Sequence, residues 1–438
     1  MKKDRLIKRL FLYLLCVLSI FIFSSCTTAG SETVLPKEEL SANALADTRE
    51  KSFVFEYFDE WDFPQFDTRK IKRVETVYRK NYYKDLPDTR EHARLAAEYF
   101  IENYYDGISL CDSEAVAEAL ISSYVKTVGD RYSYYRSADE YESYSENMSG
   151  SFVGIGITVT KDDETPALSV VEVNGEPAIK AGLLAEDKII AVDGASVADI
   201  GYTEAIARVK GEAGTDVTLT VLRGDVELTL VATRAKVTES SVTYKIEDGI
   251  GYVKITSFKS NTDEQFDEII SALERAEVKG VIYDLRSNAG GYLTAVQNML
   301  DRIAKKGTKL VSFTNGYAED YIANTEDSFL IPSVVICNGG TASAGELFTA
   351  GVRDIGAMGY MPTAIVGERT HGKGIMQRTY TLSDGSAVTL TVAYYNPPSG
   401  VNYDGVGIEP DQEVFLGENG DAQLDAAKAK IAEIVNNY

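Results

Sequence analysis

Val334-Val335-Ile336-Cys337-Asn338-Gly339-Gly340-Thr341-Ala342-Ser343-Ala344-Gly345-Glu346 is an apolar run that breaks at a glycine turn and reopens as a helix pattern. The same order recurs upstream. Val281-Ile282-Tyr283-Asp284-Leu285-Arg286 reads as a strand, runs into Ser287-Asn288-Ala289-Gly290-Gly291, and continues as a helix pattern over 293–303. Strands at 281–285 and 333–337, each followed by a helix, predict βαβ crossovers. Later strands near 362–366, 375–381 and 387–394 predict a mixed sheet. Before them come a strand at 253–258 and a helix that Thr262-Asp263-Glu264-Gln265 would cap, with the apolar stripe Phe266, Ile269, Ile270 and Leu273.

Ser343 opens one helix pattern, and Gly372-Lys373-Gly374 opens the strand at 375. A serine needs a base before it attacks a carbonyl. A buried lysine can serve, because desolvation disfavours its charged form. The pair points to a Ser/Lys hydrolase. A helix N-terminus also offers N–H groups to an oxyanion, and a Gly-Gly turn lets backbone approach a ligand closely. Each piece has a plainer reading. Ser343-Ala344-Gly345-Glu346 fits a capping box, Lys373 fits a solvated residue on a tight turn, and Gly290-Gly291 fits an ordinary strand-to-helix loop.

Residues 150–236 form a separate unit. Short strands at 156–160, 168–173, 188–192 and 217–222 and a helix at 203–209 are punctuated by Gly175-Glu176-Pro177-Ala178, Ala181-Gly182 and Asp193-Gly194. This pattern resembles a PDZ domain. The resemblance makes Gly154-Ile155-Gly156-Ile157 its carboxylate-binding loop, whose N–H groups hold a terminal carboxylate while the sheet edge accepts the peptide as a strand. Lys210 stands where relatives often carry an arginine near the peptide; alone it is a solvated lysine.

From about Leu110 onward the chain resembles the carboxyl-terminal processing, or tail-specific, proteases. The motifs are Gly129-Asp130-Arg131-Tyr132-Ser133, Gly150-Ser151-Phe152-Val153-Gly154-Ile155-Gly156, Asp284-Leu285-Arg286 with Gly290-Gly291, Thr341 to Glu346, Gly367-Glu368, Gly372-Lys373-Gly374 with Gln377, and Gly407-Ile408-Glu409-Pro410-Asp411. The resemblance implies Ser343 as nucleophile, Lys373 as general base and Gln377 as the residue that orients it. It implies an oxyanion hole of the Ala344 N–H and that of Gly290 or Gly291, and a structural role for Asp354. It departs at Ala289, where a proline is usual, at Thr341 and Gly345, where serine is usual, at His371, where an aromatic is frequent, and in a longer 354–367 stretch. The implied fold is α+β and multidomain: a mixed α/β protease core at 237–438, a small β-rich PDZ domain at 150–236, and an N-terminal helical region at 61–149.

The 438 residues support two or three domains. A formal net charge of −23 argues against nucleic acid as a partner. Residues 1–25 join a basic start (Lys2, Lys3, Arg5, Lys8, Arg9) to an apolar run from Leu10 to Phe23, too short to span a membrane. Phe23-Ser24-Ser25-Cys26 resembles a bacterial lipobox, which implies lipidation of Cys26 and an extracytoplasmic, lipid-anchored protein; a plain secretory signal is the alternative. Residues 26–60 read as a polar tether. Residues 70–145 read as helical, with Asp112 a capping candidate and a dense set of tyrosines (Tyr132, Tyr134, Tyr135, Tyr141, Tyr144) read as half-buried packing. His92 falls on an apolar stripe and reads as a packed residue.

Cys111 and Cys337 do not make a disulfide framework, and Cys337 reads as a buried small hydrophobe. With two histidines, no metal-ligand spacing and no phosphate loop, no metal and no cofactor are expected. The expected function is a serine endopeptidase acting on proteins or peptides with a free C-terminus, its oligomeric state open and a homo-oligomer included. Two alternatives stand beside it. One is a PDZ peptide-binding lipoprotein with a degenerate protease core. The other is a hydrolase using His371 as base with Asp284 or Asp354 behind it.

Overall fold

The computed structural model describes residues 68–104, 107, 113–162, 165–314, 317–417 and 420–438. The leader, the tether, Cys26, Cys111 and Asp112 lie outside these residues. The chain divides into two units, Met1–Glu142 with Ile375–Ala393, and Ser143–Gly374 with Tyr394–Tyr438.

The second unit is built on a six-stranded sheet of β1 (Val242–Glu247), β2 (Ile250–Ile255), β3 (Gly280–Asp284), β4 (Ser333–Cys337), β5 (Thr363–Gly367) and β6 (Gln412–Glu413), side by side in that order. β1 and β2 form an antiparallel pair, and every later pairing is parallel. Parallel neighbours need crossovers. These contain α1 (Thr262–Arg275) between β2 and β3, α2 (Leu293–Arg302) after β3, and α3 (Ala344–Ala357) between β4 and β5; α4 (Ala422–Asn437) ends the chain.

β3 and β4 are buried along their whole length, as strands covered on both faces must be. Ile282, Val334 and Ile336 pack with Ala427 and Ile431 of α4. The alternate residue Tyr283 points the other way, its ring 6.1 Å from Phe266 of α1 and 5.3 Å from Phe348 of α3. Phe258 stands 6.2 Å from Phe348. The strand expected at 253–258 is β2, three residues earlier, because Phe258 leaves the ladder and bridges to Gly291. The expected cap of α1 is also displaced. Asn261 holds the capping position, Thr262 Oγ1 accepts from Lys259 N–H at 2.7 Å, and Gln265 bonds Ser241 N–H and Glu239 O. These side chains bond the incoming chain instead of their own helix.

Within the same unit, strands Ile157–Lys161, Leu168–Val173, Lys188–Val192, Asp216–Arg223 and Val226–Thr233 make an antiparallel sheet in that order. Its core includes Ile155, Leu168, Ile189, Leu219 and Val221. The helix expected at 203–209 begins earlier, as Val197–Val209, with a kink at Gly201. Glu176–Ala181, read as turn chemistry, is a short helix with Pro177 in its first turn. Strand Ser151–Gly154 pairs with Ala235–Thr238, so this small domain enters and leaves through a two-stranded ribbon.

The first unit holds helices Thr68–Asn81, Thr89–Asn103 and Ser113–Thr127, whose buried residues include Ile71, Val74, Tyr78, Phe100, Leu120 and Tyr124. Residues 387–389 pair with Tyr134–Arg136, so the strands expected at 375–381 and 387–394 in the protease core are built together with these helices. His92 is fully buried and stacks on Tyr124 at 3.9 Å, which is the packed role expected of it. The five tyrosines of 132–144 are half-buried. No helix among the described residues is long and apolar enough to cross a membrane.

Phe348 is fully buried and touches three aromatic rings. Phe348→Ala should destabilise the fold by about 3–5 kcal/mol, read as a lower denaturation midpoint; a loss below about 1 kcal/mol would mean that this aromatic cluster is not the centre of the core.

Candidate active site

β4 ends at Cys337, and α3 begins at Ala344. The turn between them is locked to the turn after β3. Thr341 Oγ1 donates to Leu285 O at 2.8 Å, Ala342 N–H donates to Asn288 O at 2.9 Å, and Asn338 Oδ1 accepts from Ser287 N–H at 2.8 Å. Threonine at 341 supplies the hydroxyl that a serine there would supply.

Ser343 stands at the helix N-terminus with φ 54° and ψ −117°. This is the geometry of the first central position of a type II′ turn, normally a glycine position. A non-glycine residue there costs on the order of 1–3 kcal/mol and persists only where its surroundings hold it. One holder is Glu346. Its buried carboxylate accepts from Ser343 N–H at 2.9 Å and Lys373 N–H at 2.8 Å on Oε2, and from Gly372 N–H and Thr370 Oγ1 at 2.6 Å each on Oε1. The glutamate arm of the capping box is therefore present, and the same group also grips 370–373. Ser343 and Lys373 share one oxygen atom through their backbones, despite the long 354–367 stretch between them.

Two phenols lie at the same place. Tyr395 donates to Lys373 O at 3.1 Å, and Tyr403 donates to Ser343 O at 3.4 Å. Burial pushes both phenols above their ordinary range.

Gly290 packs against the Ser343 turn so closely that a Cβ on it would come within 2.9 Å of Ser343 Cβ and 3.0 Å of Ala344 N. Its own N–H donates to Asn288 Oδ1 at 2.8 Å. Gly291 runs against Phe258, where a Cβ would meet Phe258 O at 2.1 Å. The Asn288 amide also donates to Ile255 O at 2.9 Å and fixes the turn to the end of β2.

The other expected residues fall as follows. Gln377 lies in the first unit, where its amide donates to Thr391 Oγ1 at 3.2 Å. Asp354 accepts from Ser399 N–H at 3.0 Å and Arg353 Nε at 3.0 Å, a structural role. Asp284 is held by Arg286 and by Tyr252 at 2.6 Å. His371 is exposed, its N–H donates to Thr341 O at 3.0 Å, and among the described residues no carboxylate bonds its ring. Cys337 is buried, and burial pushes its thiol up to about 12.

In the small domain, Gly154 ends the ribbon strand, Ile155 is core, and Gly156 has φ 77° with a Cβ position only 2.3 Å from Gly175 Cα. Ile157 starts the next strand. Lys210 is exposed at the end of helix 197–209. The buried cation there is Arg234, which donates to Val209 O at 3.0 Å and Arg208 O at 2.6 Å.

Sequence reading missed Asn288, Arg234, Tyr395, Tyr403 and the second grip of Glu346. Only Glu346 had a local signal, its place in the capping box. Glu346→Gln turns one acceptor oxygen into a donor facing N–H groups. It should destabilise the fold by roughly 2–4 kcal/mol. Thermal unfolding measures this; a wild-type midpoint would remove Glu346 as the link between the turns.

Residues 249–414 match the family model of peptidase family S41, and residues 153–233 match that of the PDZ domain. A "Probable CtpA-like serine protease" of Staphylococcus haemolyticus is 33% identical over 303 residues, 68% of this chain and 60% of that relative. One of Staphylococcus aureus is 32% identical over 320 residues, 71% of this chain and 63% of the relative. The chain thus spans about three fifths of the length of the curated relatives it matches. A solved S41-family structure from Bacteroides fragilis covers 83% of this chain and 97% of its own at 16% identity, with a TM-score of 0.51, a likeness of fold. With its Ser343 turn, its parallel sheet and an embedded PDZ domain, the chain belongs to peptidase family S41.

Proposed function

We propose that the chain is a serine endopeptidase of the C-terminal processing type, with Ser343 as nucleophile and Lys373 as general base. The observation that carries this reading is the shared Glu346 oxygen, which ties the backbones of the two residues together. Ser343 Oγ attacks the scissile carbonyl while the Lys373 amine takes its proton. The N–H groups of Ala344 and Gly291 receive the oxyanion; Ala344 opens α3, so the positive end of the helix dipole favours the same charge. Lys373 then protonates the leaving amine, and water hydrolyses the acyl-enzyme.

The His371 alternative is weaker, because its two candidate acids are held by other groups, Asp284 by Arg286 and Tyr252, Asp354 by Arg353 and Ser399. The substrate class follows from the PDZ domain: proteins or peptides whose free C-terminal carboxylate meets the loop at 154–157. Lipidation at Cys26 would hold the enzyme outside the cytoplasm at the bacterial membrane, with the tether giving it reach.

Ser343→Ala and Lys373→Ala should each lose nearly all peptide cleavage, since general-base catalysis is worth ~10²–10⁴-fold. Lys373→Arg should fail as well, because guanidinium stays protonated. His371→Phe should retain most activity. A folded Lys373→Ala that still cleaves, beside an inactive His371→Phe, would move the base to His371.

Gly156→Val should weaken cleavage of substrates with a free C-terminus more than of amidated ones, because the side chain violates both the positive φ and the contact with Gly175. Equal losses on both substrates would make the loop purely structural. Cys26→Ser should shift the processed protein from the membrane to the soluble fraction or leave the precursor uncleaved; an unlipidated mature chain starting beyond Cys26 would end the anchor reading.

A further inference from the structure

The strained backbone of Ser343 is held on its N–H side by Glu346. On its carbonyl side stands a phenol, Tyr403, at 3.4 Å. Tyr403 is 4% exposed, and it lies in an edge-on contact with Tyr395, 2% exposed, the ring centroids 6.2 Å apart. Tyr395 donates to the carbonyl of Lys373 at 3.1 Å. One tyrosine therefore touches the nucleophile residue, the other touches the base residue, and the two touch each other. This path between the residues is separate from the Glu346 path.

The donor count gives the pair a direction. Each phenol has one proton. With the Tyr403 proton on Ser343 O and the Tyr395 proton on Lys373 O, the Tyr395 oxygen has only lone pairs left. Both phenol protons are thus spent on backbone carbonyls, one at Ser343 and one at Lys373.

The sequence around these residues adds a reason for their reach. Tyr395 is the second-last residue of strand 387–396, and Asn402 Nδ2 donates to Tyr395 O at 2.8 Å and to Gly374 O at 2.9 Å. Gly405 N–H donates to Gly372 O at 2.9 Å. The 395–405 segment is therefore fastened on both sides of Lys373, and the two phenols are presented from a rigid support. Rigid support of this kind is what turns a hydrogen bond into a positional constraint.

We infer that Tyr395 and Tyr403 form a phenol brace that keeps Ser343 and Lys373 in attacking register, making both tyrosines positioning residues for acylation. The inference rests on the Ser343–Lys373 reading above. Removing a phenol should leave substrate binding intact and slow the chemical step.

The test is Tyr395→Phe, Tyr403→Phe and the double variant, made in the full chain. Turnover of one peptide gives kcat and KM, and labelling by a fluorophosphonate gives the acylation rate, each normalised to the folded fraction from thermal unfolding. Each single variant should lower kcat and the acylation rate on the order of tenfold, the worth of one hydrogen bond, with KM unchanged. The double variant should lose less than the product of the two, because the phenols share one network. If Tyr403→Phe does not fold, Tyr395→Phe decides alone. Wild-type acylation rates in the folded variants overturn the brace, as does a loss confined to KM or to thermal stability. Ser343→Ala and Lys373→Ala run alongside. Activity surviving in either removes the dyad itself, whereas an inactive Ser343→Ala beside fully active phenylalanine variants removes only the brace.

Discussion

Four donors converge on the buried carboxylate of Glu346, two on each oxygen. A carboxylate is the one side chain that can accept all four. Three of the donors are backbone N–H groups, and the residue lies in the first turn of α3, where the helix dipole favours negative charge. These hydrogen bonds and the helix end together compensate a buried acid. Much else follows from this arrangement. It holds Ser343 in a backbone conformation that a serine does not adopt unaided, and it brings the chain returning from β5 back to the start of α3. The bulk of α3 is buried, so the point of attachment has little freedom to move.

The glycine turn after β3 is held by a second lock of the same kind. Asn288 has its amide nitrogen on the end of β2 and its amide oxygen on Gly290, while its backbone oxygen takes Ala342 N–H. Phe258 closes the other side of the glycine turn, with its N–H on Gly290 O at 3.0 Å and its carbonyl receiving Tyr292 N–H at 2.7 Å. The residues just after Phe258 hold the ribbon of the PDZ domain. Ser260 N–H bonds Met148 O at 3.0 Å, Asn261 bonds Gly150 O at 3.1 Å, and Lys259 pairs with Glu239. One short segment thus supports the glycine turn and the root of the small domain together.

Function in this chain is assembled from turns that follow parallel strands, where open α/β sheets place their sites. The sheet supplies rigidity, the turns supply N–H groups, and buried polar side chains fix the turns to one another. Hydrogen-bonded polar groups at full burial are costly to leave incomplete. This is why the site is specified by residues such as Asn288 and Glu346 that never need to meet a substrate.

Much of this was legible in the sequence. Apolar runs at 281–285 and 333–337 declare buried parallel strands, because nothing else of that length hides both faces. Glycine doublets and the Ser-x-x-Glu pattern mark where those strands turn into helices. Alternation and turn residues over 150–236 declare a small β-rich domain, and the motif order declares the family. Each of these signals is local, arising from a period, a cap or a positive φ within a few residues. Other features needed the tertiary structure. Phe258 leaves its strand because Gly291 comes to meet it. Gly290 loses its free N–H to an asparagine two residues away whose rotamer depends on β2. The hairpin strand 387–389 pairs with 134–136, across some 250 residues of chain. Tyr395 and Tyr403 carry no local pattern at all. Their meaning comes from lying beside Ser343 and Lys373, and hydrogen bonds between residues distant in the chain are settled by packing, which no short window of sequence contains.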